Sequence, residues 1–141
     1  MLLELIDIET YYGHAQALRS VSLQVAQGEI VTILGANGAG KTTPLLPISG
    51  ILRPRRGKIL YQGKVIHIEK PGTIVKLGIS QCPEGRALFP DMTVQDNLDL
   101  GAFLRKDREA VAQDLERVFH HFPKLLERKG QYAGSLSGGE Q

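Results

Sequence analysis

The chain has 141 residues, of which 42% are hydrophobic and 23% charged, with a formal net charge of +2. That is the make-up of a soluble globular polypeptide, one domain or part of a larger one, and so small a charge gives no argument for nucleic acid. Cys82 is the only cysteine, which excludes an intrachain disulfide or a multi-cysteine metal site, and no apolar run approaches the ~20 residues of a bilayer span.

The start carries Glu4, Asp7 and Glu9 and lacks a basic segment followed by an apolar one, so no signal peptide is expected and a cytosolic location is. Leu2 to Ile8 alternates loosely and predicts a strand, followed by a turn at Tyr12-Gly13-His14. A second strand is expected over Ala17 to Val25 and a third over Glu29 to Leu34, where E-I-V-T-I-L is a short apolar, β-branched run suited to a buried position. A helix should run from about Lys41 to Leu52, closed by Arg53-Pro54. Gly57 to Tyr61 and Lys64 to Ile66 flank Gln62-Gly63 like a small hairpin. A short helix from Pro71 to Lys76 and a strand from Ile79 to Cys82 come next. The cluster Arg53, Arg55, Arg56 and Lys58 reads as a solvated turn.

The remainder is helical. Thr93-Val-Gln-Asp96 fits the [ST]-x-x-[DE] start of a capping box, leading a helix to about Leu104. From Arg108 to Phe122 the apolar residues Val111, Leu115, Val118, Phe119 and Phe122 recur at helical spacing, with Pro123 as the stop.

The chemistry sits between the third strand and the first helix. Gly35-Ala-Asn-Gly-Ala-Gly-Lys41-Thr42 fits G-x-x-x-x-G-K-[ST], the phosphate-binding loop. Glycines let the backbone approach a triphosphate, and a helix N-terminus would add unpaired N–H donors and the positive end of its dipole. The expected nucleotide cradle is Gly35, Asn37, Gly38, Ala39, Gly40, Lys41, Thr42 and Thr43, with Lys41 reaching the β- and γ-phosphates and the Thr42 hydroxyl a Mg²⁺ ligand.

Leu136-Ser137-Gly138-Gly139-Glu140-Gln141 resembles the signature motif of the ATP-binding-cassette (ABC) ATPases and stands downstream of the phosphate loop in that family's order. The resemblance implies an α/β fold: a P-loop NTPase core with an N-terminal antiparallel β subdomain and part of a helical subdomain, divided as residues 1–92 and 93–141. It further implies ATP and Mg²⁺ as ligands and a head-to-tail dimer with a second ATP-binding subunit. In that dimer Ser137, Gly138 and Gly139 face the ATP held by the partner. Tyr12 matches the aromatic residue that stacks on adenine, with Tyr11 as the alternative. Pro83-Glu84-Gly85-Arg86-Ala87-Leu88-Phe89-Pro90 resembles the segment linking core to helical subdomain. Glu84 stands where most of the family has Gln near the Mg²⁺ and attacking-water region. The P-E-G-R form, and Phe122-Pro-Lys-Leu-Leu-Glu-Arg128, resemble subunits of branched-chain amino acid importers.

That likeness implies an importer ATPase, peripheral on the inner face of the membrane, which hydrolyses MgATP and docks on transmembrane permease subunits through the loop holding Leu88, Phe89 and Met92. A soluble repair or translation ATPase of the same family fits the Pro83–Pro90 segment less well. The family's Walker B aspartate, catalytic glutamate and switch histidine lie past the signature. His14, His67, His120 and His121 all precede it, so the sequence reads as an N-terminal portion. The alternative reading is a nucleotide-binding module or remnant without turnover. Pro44 and Pro47 depart from the family pattern. Pro47 is expected to kink the helix or cost about 3 kcal/mol in its interior.

Overall fold

The computed structural model describes residues 1–36, 38–85 and 87–141, which form two compact units, Met1–Gln81 and Cys82–Gln141. In the first unit, β1 (Leu3–Tyr12), β2 (Ala15–Val25), β3 (Arg56–Tyr61) and β4 (Lys64–Val65) form one antiparallel sheet in the order β2-β1-β3-β4.

The loose alternation at the N-terminus has a physical cause. Leu5 is buried, but the next buried side chains on β1 are Ile8 and Thr10, so the inward set changes parity between Leu5 and Ile8. A β-bulge at that level inserts the extra residue, and Asp7 takes φ 50. β2 does the same around Ser20, at φ 48, moving its inward set from Leu18 to Val21 and Leu23. The Asp7 N–H donates to Ser22 Oγ at 3.0 Å, and the Ser20 and Ser22 hydroxyls donate to Asp7 Oδ1 at 3.0 and 3.3 Å. β3 crosses the same level at Gly57, where a Cβ would lie 2.3 Å from the Ile6 carbonyl oxygen. The bulge thus carries both β1 and β2 past their expected limits and lets each keep one face inward.

Leu5, Ile8, Leu18, Ile48, Ile59 and Ile66 form the core, with Leu3, Val21, Leu23, Tyr61 and Ile79 against it. The β3–β4 hairpin turns at Gln62 and Gly63, both at positive φ, as a two-residue turn with the right twist requires. α2 (Pro71–Lys76) has the predicted bounds and buries Ile74.

Three expected elements differ. The helix predicted over Lys41–Leu52 is a four-residue α1, Leu45–Ile48. The strands predicted over Glu29–Leu34 and Ile79–Cys82 carry no regular structure. A central strand depends on hydrogen-bonded neighbours and apolar cover. No described strand lies beside Glu29–Leu34, and Ile30 and Leu34 are 94% and 86% exposed.

The second unit holds α3 (Val94–Gly101), α4 (Arg108–His121), α5 (Pro123–Glu127) and a 3₁₀ turn at Ala133–Ser135. Thr93 and Asp96 complete the capping box: Asp96 N–H donates to Thr93 Oγ1, and Thr93 N–H to Asp96 Oδ2, each at 3.1 Å. Those hydrogen bonds hold the Asp96 carboxyl below the usual carboxylate range, the Thr93 hydroxyl contributing most. α3 ends at Gly101, short of Leu104, and α4 ends one residue before Phe122. Val111, Leu115, Val118 and Phe119 are half-buried, whereas Phe122 is exposed. Arg105 binds Asp107 and Asp114, and Arg117 also binds Asp114, on the surface of this unit. Among the described residues no helix is long and apolar enough to cross a membrane.

Candidate functional site

The phosphate loop closes on itself. Ala39 N–H donates to the Ala36 carbonyl at 3.1 Å, and Lys41 Nζ donates to the same oxygen at 2.7 Å. Gly38 and Gly40 stand at φ 82 and 77, a region that side-chain-bearing residues enter at a cost. Gly35 is constrained by space instead: a Cβ there would sit 3.3 Å from Ala39 Cβ. The loop is therefore a turn of small residues with the ammonium of a half-buried lysine folded back onto the Ala36 carbonyl. An incoming anion would compete with a single carbonyl for that ammonium, and the charge-assisted bond favours the anion. Asn37 lies outside the described residues.

The segment after the loop differs from the expected helix N-terminus, and the prolines explain why. Pro44 has no N–H to give the Gly40 carbonyl, and Thr43 N–H takes that oxygen at 3.1 Å instead. Pro47 likewise cannot reach the Thr43 carbonyl, which accepts from Leu46 N–H at 3.3 Å. Each missing i→i+4 bond is replaced by the preceding residue's i→i+3 bond, so residues 40–46 form tight turns and α1 begins only at Leu45. The helix dipole expected at the phosphates is consequently absent from this segment, and its donors are those of a turn. Pro47 is in the first turn of α1, fully buried, and its neighbour Ile48 joins the core. The C-terminus closes with Ile51 N–H on Leu46 O at 3.0 Å and Gly50 N–H on Pro47 O at 3.3 Å, the paired bonds of a Schellman motif. Thr43 is buried and Thr42 half-buried. Among the described residues no group of three or more His, Cys, Asp or Glu gathers to hold a metal.

The two tyrosines at the β1–β2 turn are in different states. Arg55 stacks on the Tyr11 ring, its guanidinium carbon 4.3 Å from the centroid, and Tyr11 is half-buried. Tyr12 is 51% exposed, at the last position of β1 before the Gly13-His14 turn. Arg55 also donates from Nη2 to the Gly13 carbonyl at 2.9 Å. A solvated basic turn does not predict this: Gly13 lies 42 residues away in sequence, and no local pattern announces the contact.

The signature segment is anchored by Leu136, which is buried, while Ser137, Gly138 and Gly139 are exposed. Residues 129–134 pair back on the start of α3, with Val94 N–H on Gln131 O, Gln95 N–H on Lys129 O and Ala133 N–H on Met92 O, each at 2.9 Å. Ser137 N–H does not stand open as an anion donor. It donates to Glu140 Oε2 at 3.0 Å, and Arg128 Nη1 reaches the same oxygen at 3.1 Å. The Ser137 backbone and then its side chain hold the Glu140 carboxyl below its usual range, with Arg128 and Lys124 adding to it. The S-x-x-E spacing of Ser137 and Glu140 is the sequence signal for this contact, the same capping pattern as at Thr93 and Asp96.

Glu84 is exposed, in the turn with Gly85, and Arg86 lies outside the described residues. Of the three apolar residues near it, Leu88 lines a cavity with Val94, Leu98, Leu125 and Leu136, and Met92 is half-buried. Only Phe89, at 58%, is exposed. Its backbone is held at both ends by Asn97, which accepts from Phe89 N–H at 2.9 Å and donates to Phe89 O at 3.0 Å.

The sequence profile described as ABC transporter matches residues 18–141. The high-affinity branched-chain amino acid transport ATP-binding protein of Pseudomonas aeruginosa is 42% identical over 140 residues, which are 99% of this chain and 60% of that one. A probable branched-chain amino acid transport ATP-binding protein of Archaeoglobus fulgidus is 31% identical over 99% of this chain and 59% of its own length. Among solved structures, an ATP-binding subunit of an ABC transporter superposes with a TM-score of 0.85 at 31% identity, covering 99% of this chain and 57% of that one. The ADP conformation of an ATP-binding cassette gives 0.74 at 29% identity, over 99% and 60%. The chain spans about 60% of the length of these relatives. With a phosphate loop that closes on its own lysine, a signature segment held at Leu136, and matches along almost its whole length, this chain belongs to the ABC transporter family.

Proposed function

We propose that this chain is the nucleotide-binding portion of the ATP-binding subunit of an ABC importer, and that the importer carries branched-chain or related amino acids. The observation that carries the nucleotide reading is the loop itself: small residues at positive φ around Ala36, with the Lys41 ammonium turned inward on a single carbonyl that a phosphate would replace. The amino acid class is supported by the names of the P. aeruginosa and A. fulgidus relatives.

In this reading ATP lies with its phosphates on Gly35 to Thr43 and its base on Tyr12. Mg²⁺ takes most of its oxygens from phosphates and water, so a single protein hydroxyl, that of Thr42, suits it without a carboxylate cluster. Ser137, Gly138 and Gly139 face the ATP of a second ATP-binding subunit in a head-to-tail dimer. Gly138 and Gly139 supply the backbone donors, since Glu140 holds Ser137 N–H. Glu84 is the residue beside the metal and water. Phe89, presented by Asn97, meets a cytoplasmic helix of the permease on the inner face of the membrane. The whole protein hydrolyses ATP to drive transport.

The test is a chimaera of residues 1–141 with the remaining length of the P. aeruginosa relative, expressed in a strain lacking that subunit. The proposal expects uptake of labelled leucine to return, and to be lost again with Lys41→Ala. A folded, ATP-binding chimaera that leaves uptake at the level of the empty strain would refute the importer assignment.

A further inference from the structure

We infer that Arg55 is a positioning residue for the nucleobase, acting through Tyr12; this rests on the reading of Tyr12 as the base platform. Three contacts place Arg55 across the tip of the β1–β2 hairpin. Its N–H donates to the Glu9 carbonyl at 2.8 Å, which docks the main chain before β3 against β1. Its guanidinium lies over the Tyr11 ring at 4.3 Å. Its Nη2 then reaches the Gly13 carbonyl at 2.9 Å. The backbone is thus tied at Glu9 while the side chain touches Tyr11 and Gly13, bracketing Tyr12, the residue between its last two contacts.

Arginine suits this task better than lysine would. The planar guanidinium can stack on a ring face while its edge donates in a fixed direction, whereas an ammonium has no plane to align. Gly13, at φ 61, needs such a restraint, because glycine leaves the turn with more conformational freedom than any other residue. Pinning its carbonyl fixes the Gly13–His14 peptide, the next but one after Tyr12, and so the turn in which the Tyr12 main chain ends. Arg55 also covers Tyr11 with the stacked guanidinium, so of the two adjacent tyrosines Tyr12 is the one left to meet a base. A platform already held in place avoids the ordering cost of stacking, which otherwise subtracts from affinity.

The experiment uses the 141-residue chain with two probes, ATP and inorganic tripolyphosphate, titrated against the unmodified protein, Tyr12→Ala, Arg55→Gln and the double variant. Amide hydrogen exchange at Gly13 and His14 is measured without ligand. Removing a base–aromatic stack should weaken ATP binding by about tenfold in Tyr12→Ala. Arg55→Gln should weaken ATP binding several-fold and speed exchange at the turn, and both variants should bind tripolyphosphate as the unmodified chain does. The double variant should match Tyr12→Ala alone, because Arg55 has nothing to position once the ring is gone.

The inference is overturned if Arg55→Gln binds ATP normally, if its loss adds in full to that of Tyr12→Ala, or if tripolyphosphate affinity falls in step with ATP. A loose turn with ATP affinity unchanged in Tyr12→Ala overturns the platform reading, and the inference with it. Binding of neither probe by the unmodified chain overturns the nucleotide reading itself. Normal circular dichroism in Arg55→Gln excludes unfolding as the source of any loss.

Discussion

Replacing Pro47 by alanine separates the sequence's account of the helix after the phosphate loop from the structure's. In a straight Lys41–Leu52 helix Pro47 is interior, and its removal would add up to about 3 kcal/mol of stability. In the structure it stands in the first turn of a helix that begins at Leu45, where N–H groups have no intrahelical partner in any case, so that gain is not available. Its ring is fully buried. Alanine would withdraw two ring methylenes, at about 0.8 kcal/mol each. The unfolded chain would also recover flexibility, at about 0.4–1 kcal/mol. Pro47→Ala should therefore cost about 2 kcal/mol and, with a urea slope of roughly 2 kcal/mol/M, lower the midpoint by about 1 M. A raised midpoint would show that the helix extends through position 47 once the proline is gone, and would refute the tight-turn account of residues 40–46.

Gly57→Ala should be worse than Pro47→Ala, costing at least about 3 kcal/mol, because a left-handed backbone and a Cβ 2.3 Å from the Ile6 carbonyl cannot both be relieved without parting β1 from β3. A urea midpoint near that of the unmodified chain would contradict the three-strand bulge. Thr93→Ala should cost about 1 kcal/mol through loss of the cap, read as a drop in the thermal midpoint, and an unchanged midpoint would mean that α3 does not depend on it. Acid should weaken the second unit. Asp96 and Glu140 have folded pKa values below their unfolded ones, so their contribution is complete at neutral pH and is lost as pH falls from the unfolded values, about 4, down through the lower folded ones. Equal urea midpoints for Asp96→Asn relative to the unmodified chain at pH 7 and pH 3 would count against this. Phe89→Asp should leave folding intact, since the ring is mostly exposed, yet reduce co-purification of the chimaera with its permease; retention of the complex would remove Phe89 from the docking surface.

Local chemistry was legible in the sequence. The Gln62-Gly63 hairpin, the Pro71–Lys76 helix, the Thr93–Asp96 cap and the glycine-lysine loop are each specified by residues within a few positions of one another. The features that could not be read depend on pairing at a distance. The parity changes on β1 and β2 arise where Asp7, Ser20, Ser22 and Gly57 meet at one level of the sheet, and no window on a single strand contains that meeting. Glu29–Leu34 has the composition of a buried strand, but composition does not supply the neighbours that make one. Pro44 and Pro47 depart from the family pattern and Pro47 reads as disruptive, but whether prolines kink a helix or convert its start to turns depends on which carbonyls their neighbours reach. In the candidate site, the need for glycine at Gly38 and Gly40 was legible, and the hold of Arg55 on Gly13 was not.

Binding of a fluorescent ATP analogue to the unmodified 141-residue chain and to Lys41→Ala, at matched salt and with Mg²⁺, tests the central claim most directly. Deleting the ammonium that rests 2.7 Å from the Ala36 carbonyl removes a charge-assisted contact to phosphate worth about 1.5–3 kcal/mol, which is roughly ten- to hundredfold in affinity. The account predicts saturable binding to the unmodified chain, displaced by unlabelled ATP, and a loss of that size in Lys41→Ala with the fold retained. Equal affinities in the two proteins would contradict it.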